Sequence, residues 1–204
     1  MSKSEVTESL LIKACGILAN YAKATGAMVC VHDSNCKVIP EMFGEVFTDR
    51  NMCLDCIHRR GETLSDLLTE APVNPCDNLH FTAIRESYRY GGSYTYRCSL
   101  GFMFWTSPIY IQSRFVGALL GSGFRDESGA EIYHFDGQPV TEPVFLEKLK
   151  QFPYAKPEKI RALAELMLIC AESLSSGNER YYETIKRRAQ QQTRLMTSLR
   201  ELEQ

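Results

Sequence analysis

Four cysteines have the spacing to do chemistry together. Cys53 and Cys56 form a Cys-x-x-Cys pair in "DRNMCLDCIHRRGE"; Cys76 follows in "NPCDNLH" and Cys98 in "YTYRCSLG", a C-x2-C-x19-C-x21-C pattern. A tetrahedral metal site or a four-iron cluster needs four thiolates converging on one point. A Cys-x-x-Cys turn supplies two of them, and two further loops or strand ends can supply the others. Sulfur-only ligation suits Zn2+ and a 4Fe-4S cluster equally well. The spacing is not that of a zinc ribbon, whose second Cys-x-x-Cys comes about 15–20 residues after the first. His58 and His80 are reserve ligands near the same stretch. Two other readings stand beside the metal site. The pair could be a redox dithiol, although no clear strand precedes it as thioredoxin-like chemistry requires. Or Cys76 and Cys98 are small buried hydrophobes and the pair is incidental. Cys15, Cys30, Cys36 and Cys170 fall on apolar faces or in a turn, where core packing is the better reading.

A second set of residues could form a ligand wall. Tyr94, Tyr96, Phe102, Phe104, Trp105, Ile109, Ala118 and Gly121 stand on three strand-like runs late in the chain. A sheet covered by helices can bury a small organic molecule against such residues, and equally they can be ordinary sheet core. Gly117, Gly121 and Gly123 remove side-chain volume from one run, which leaves room for a ligand or lets a helix approach closely.

The elements that must position these residues are legible in outline. Residues 4–23 read as a helix with Val6, Leu10, Leu11, Ala14, Cys15, Leu18 and Tyr21 on one stripe. "TGAMVCVHDSNCKVIP" reads as a strand, a turn at Asp33-Ser34-Asn35 and a second short strand. Residues 41–52 look irregular, and a short helix is expected from Cys53 to Leu68. The prolines of "TEAPVNPCDNLH" predict a loop that delivers Cys76. A helix over 77–90 follows, ended by Gly91-Gly92. Strands are expected at Ser93–Cys98, Phe102–Ile111 and Phe115–Phe124, the last two joined at Gln112-Ser113-Arg114. A polar loop then leads to helices over 142–151 and 157–176, with Pro157 in the first turn of the second. Two early strands, intervening helices and three later strands are the order of a PAS- or GAF-like sensor. That is an α+β fold, with a five-stranded antiparallel sheet covered by helices.

The tail, residues 179–204, is rich in Arg, Gln and Glu. Ile185, Gln192 and Leu199 fall at heptad position a, and Arg188, Leu195 and Leu202 at d. This stripe predicts a C-terminal coiled-coil extension, the alternative being a solvated amphipathic helix. The expected division is a sensory domain over 1–176 and a helical linker over 177–204 leading to an output domain.

Bulk composition excludes several classes. Hydrophobic residues are 44% and charged residues 24% of 204, and the formal net charge is −2. No global basic field is available to hold nucleic acid directly. No apolar run reaches the roughly 18–20 residues that span a bilayer, and the N-terminus lacks the layout of a secretory signal. The expected location is the cytoplasm, where clustered cysteines point to metal or redox chemistry more than to disulfides. No Gly-x-Ser-x-Gly elbow, phosphate-binding Gly loop or supported Cys/His pair is present, so no enzyme is expected.

Over about residues 4–176 the sequence resembles the PocR sensory-domain family. The matching stretches are "ATGAMVCVHD", Cys53 after a short loop, Cys76 in "NPCDNLH", and above all "YTYRCSLGFMFWTSPIYIQSRFVGALLGSGFR". The resemblance implies a PAS-like cytoplasmic sensor that precedes an AraC-type DNA-binding domain or a histidine kinase module and binds a small organic ligand. Two departures stand out. The family pattern has His where this chain has Ser99, and Cys56 is an addition, which could take over a ligand position that His fills elsewhere. The resulting expectation is a homodimeric signalling module. Its input is a small ligand, or a metal or redox state at Cys53, Cys56, Cys76 and Cys98. The alternatives are a thiol oxidoreductase using Cys53 and Cys56, and a zinc-stabilised interaction module.

Overall fold

The computed structural model describes residues 3–39, 75–98, 100–126, 134–135, 138–139 and 143–177. The expected helix at 53–68, the irregular stretch at 41–52 and the heptad tail lie outside these residues.

Helix α1 spans Lys3–Thr25. Its stripe is buried as the spacing predicts: Val6, Leu10, Leu11, Ala14, Leu18 and Tyr21 all face the core. Burying a Leu or Ile side chain contributes about 1.5–3 kcal/mol, so packing, more than helix propensity, holds α1 in place. Strand β1, Met28–Asp33, follows. The turn after it is tied by the Asp33 carboxylate, which accepts from the backbone N–H groups of Asn35 at 2.8 Å and Lys37 at 2.9 Å. The second early strand is reduced to a single bridge between His32 and Val38.

Helix α2 spans Pro75–Tyr90. It begins two residues earlier than expected, because Pro75 is a favoured first helical residue: its fixed φ suits a helix and its missing N–H would be unsatisfied there anyway. Cys76 therefore belongs to the helix and not to a loop. Gly91, at φ 70°, ends α2, donating its N–H to the Ser87 carbonyl at 2.9 Å; a left-handed residue in this place is what glycine allows.

Strands β2 (Tyr94–Arg97), β3 (Phe102–Ile111) and β4 (Arg114–Asp126) form a meander. Ile111 pairs with Arg114, so Gln112 and Ser113 alone make the β3–β4 turn. The sheet order is β1-β4-β3-β2, with every neighbouring pair antiparallel. A fifth strand comes from an unexpected place. β7, Tyr154–Ala155, pairs in parallel with Arg125 and Asp126 of β4. Arg125 anchors it: its Nε donates to the Phe152 carbonyl at 3.0 Å and its guanidinium lies 4.0 Å from the Tyr154 ring centroid. The polar stretch before it carries a small hairpin, β5 (His134–Phe135) with β6 (Gln138–Pro139), and helix α3, Pro143–Lys150. Helix α4 occupies residues 157–177.

The sheet is covered on both faces. α1 and α4 bury Val29, Val31, Trp105, Ile109, Leu119 and Phe124 on one side. α2 and α3 bury Cys30, Tyr96, Phe102, Phe104 and Leu120 on the other. This makes an α+β, three-layer architecture compatible with a PAS-like fold. Among the described residues no helix is long and apolar enough to cross a membrane.

Candidate functional site

The α2 side of the sheet collects the groups capable of recognition. Tyr94 and Tyr96 alternate onto this face from β2, and Phe102 and Phe104 do so from β3. Tyr96 stacks on Phe104 with centroids 5.3 Å apart, and Tyr94 on Tyr96 at 6.2 Å. α2 adds His80. Its Nδ1 lies 2.7 Å from the Tyr96 hydroxyl in a hydrogen bond, and its ring meets Phe104 edge-on at 4.8 Å. The result is an aromatic ladder closed by an imidazole, an arrangement that packs flat apolar groups and offers one polar tip.

Cys98 lies at the end of this ladder. It is two residues beyond Tyr96, about 6–7 Å along the strand. It is half-buried beside the Phe102–Phe104–Leu149 cluster. A tight turn holds it: the Cys98 N–H donates to the Phe102 carbonyl and the Gly101 N–H to the Cys98 carbonyl, both at 3.0 Å. α2 and β2 run antiparallel through the Gly91-Gly92 connection, with His80 on Tyr96. The start of α2 therefore lies at the end of β2, and the position of Cys76, one turn before His80, comes to the end of the sheet that carries Cys98. Cys53, Cys56 and His58 lie outside the described residues. Among the described residues no three His, Cys, Asp or Glu side chains are grouped to hold a metal ion.

The expected ligand wall divides between the two faces. Tyr94, Tyr96, Phe102 and Phe104 share the α2 side, while Trp105 and Ile109 belong to the α1–α4 side with no opening to the others. Ala118 sits in register with His32 and Pro108, on the α2 side. The glycine volumes are filled from within. A Cβ on Gly121 would run into the Trp105 indole, and one on Gly117 would meet the His32 carbonyl and Leu11 of α1. Trp105 is tied down further, because its Nε1 donates to the Tyr21 hydroxyl at 3.2 Å. That hydroxyl in turn donates to the Leu163 carbonyl of α4 at 2.8 Å.

Sequence reasoning passed over a thiol–imidazole pair on the same α2 side. Cys30 Sγ and His32 Nδ1, both buried, lie 3.7 Å apart. The available signal was a Cys and a His two apart on one strand, hence on one face. Nearby, burial pushes the Cys36 thiol up to about 11; the Asp33 carboxylate adds to the rise and the Arg85 guanidinium opposes it. Cys36 is thus a poor thiolate donor at neutral pH.

No curated protein and no solved structure matches the chain. The family model of the sensory domain found in PocR matches residues 13–179, most of the chain. The fold, the order of its elements and that match lead to one conclusion: the chain belongs to the PocR sensory-domain family.

Proposed function

We propose that this chain is the sensory module of a bacterial signalling or transcription-regulatory protein, with its input read where α2 starts and β2 ends. The input chemistry is a four-thiolate metal site, zinc or a 4Fe-4S cluster, held by Cys53, Cys56, Cys76 and Cys98. The observation that carries this reading is the antiparallel packing of α2 on β2, which brings the positions of two cysteines 22 residues apart in sequence to one end of the sheet. The signal leaves through α4, whose buried stripe lies on the opposite face and which leads towards residues 178–204. A change at the α2 face that shifts the sheet shifts α4, and a paired tail passes this to an output domain of AraC or histidine-kinase type.

Elemental analysis of anaerobically purified full chain tests the site. One zinc per chain, or a brown protein with broad absorbance near 400 nm from a cluster, is the expected result, and Cys56→Ser abolishes retention. Metal-free protein ends the four-thiolate reading. A second reading then stands on the His80–Tyr96–Phe104 ladder, which suits a small organic ligand with one polar group. In that case Tyr96→Phe, which removes the hydroxyl and keeps the ring, weakens ligand binding.

A further inference from the structure

We infer that the cleft between α4 and the β2–β3 edge binds a small zwitterion with an aliphatic group, that is, an apolar α-amino acid. This site lies on the opposite face of the sheet from the cysteine site and shares no residue with it. The cleft is a half-open groove of about 500 Å³, a volume that accommodates a small molecule. Its floor is Met103 of β3 and its wall is Ile160 of α4, which give an apolar surface. Arg161 and Glu165 stand at its rim one helical turn apart. Neither forms an ion pair among the described residues, and Arg before Glu at this spacing is the weaker order for pairing along a helix. Asp126, also at the rim, is engaged by Arg97 at 3.0 Å. Ser93 also lines the cleft, with its hydroxyl turned out of reach of solvent.

These features select a ligand class. A simple carboxylate would pair with Arg161 but sit against the Glu165 and Asp126 carboxylates, and a simple amine would meet the reverse conflict. A neutral molecule would leave both charges unused. An α-amino acid satisfies all of them: its carboxylate takes the Arg161 fork and its ammonium takes Glu165. The side chain lies on Met103 and Ile160. Because half of the lining belongs to the first turns of α4, occupancy would bear directly on the helix that leads to the tail.

Calorimetric titration of the full chain with L-alanine, L-valine, L-leucine and L-methionine tests this, with hexanoate and hexylamine as single-charge controls. Saturable binding of at least one amino acid is expected, with the controls at least tenfold weaker. Arg161→Ala and Glu165→Gln, both at exposed positions, should each weaken binding tenfold or more with an unchanged circular dichroism spectrum. Glu147→Gln, exposed on α3 and outside both sites, should leave it unchanged, which shows that loss of a surface carboxylate alone is not the cause. No saturation by any of the four overturns the inference. So does a control that binds as tightly as the amino acid, or binding that survives both substitutions.

Discussion

Trp105 shows how one residue fixes others around it. It is the chain's one tryptophan and has no exposed surface. Its ring occupies the space above Gly121, and its N–H is held by Tyr21. Tyr21→Phe removes the acceptor for that N–H and the donor to the Leu163 carbonyl in one step. Leaving such groups unpaired costs about 1–3 kcal/mol. The expected result is a lower urea midpoint with unchanged slope. Gly121→Ala should cost about as much by overpacking, since the Cβ meets a fixed indole flanked by backbone rather than a movable chain end. Cys36 gives a pH prediction. Its thiol is raised from 9.0 to about 11 in the fold, so the folded state prefers the protonated form. The unfolded chain loses that proton first as pH rises past 9. The stability tied to this group is therefore complete below pH 9 and lost as pH climbs through about 11. Cys36→Ser should lose less stability between pH 8.5 and 11 than the parent chain, as read from denaturation midpoints.

At the scale of elements, the β3–β4 hairpin is the clearest case of local sequence at odds with local geometry. Gln112 and Ser113 have φ of 50° and 61°, a two-residue turn whose twist matches the strands but which prefers Asn-Gly. Replacing the pair by Asn-Gly should raise stability by about 1 kcal/mol, measurable by chemical denaturation; no gain would mean that the flanking strands already hold the turn without strain. Elsewhere the local rules were sufficient. The stripe of α1, the bounds of β3 and the glycine stop of α2 all followed from period or turn chemistry. The failures share a cause. β7 is two residues long and exists because Arg125 and the end of β4 receive it, a tertiary pairing that leaves no periodic trace. The faces of β3 and β4 were equally hidden. Both strands are buried almost throughout, so they show the continuous apolar run of a sheet covered on two sides. Alternation, the one signal that separates Phe104 from Trp105, is missing from such a run. The aromatic part of the candidate site was legible as strand residues Tyr94, Tyr96, Phe102 and Phe104. The loop expected around Cys76 is instead the start of α2, and His80 became a partner of Tyr96 only when α2 was laid on β2.

At the scale of the whole molecule, α1 and α4 form an outer layer with an unfinished surface. They run antiparallel, since Tyr21 meets Leu163 while Leu11 lies over Gly117 and Ser175 reaches the Tyr110 N–H at 3.0 Å at the same end of the hairpin. Their inner stripes are fully used, yet Ile12 is 50%, Leu166 43% and Ile169 61% exposed. Leu166 and Ile169 share one face of α4 at helical spacing. Ile12 is exposed on the neighbouring helix α1. Single exposed apolar residues are ordinary, but three on two adjacent helices, leading into a heptad stripe in the tail, fit a homodimer that pairs through this layer. The layer would then carry both the assembly and the output. Sedimentation of the full chain at micromolar concentration should give a dimer. Leu166→Glu with Ile169→Glu should shift it towards monomer while the helical circular dichroism signal is kept, because neither side chain supports the inner core. A parent chain that sediments as a monomer would remove the dimer from this account. A dimer indifferent to the two substitutions would move the interface from the α1–α4 layer to another part of the chain.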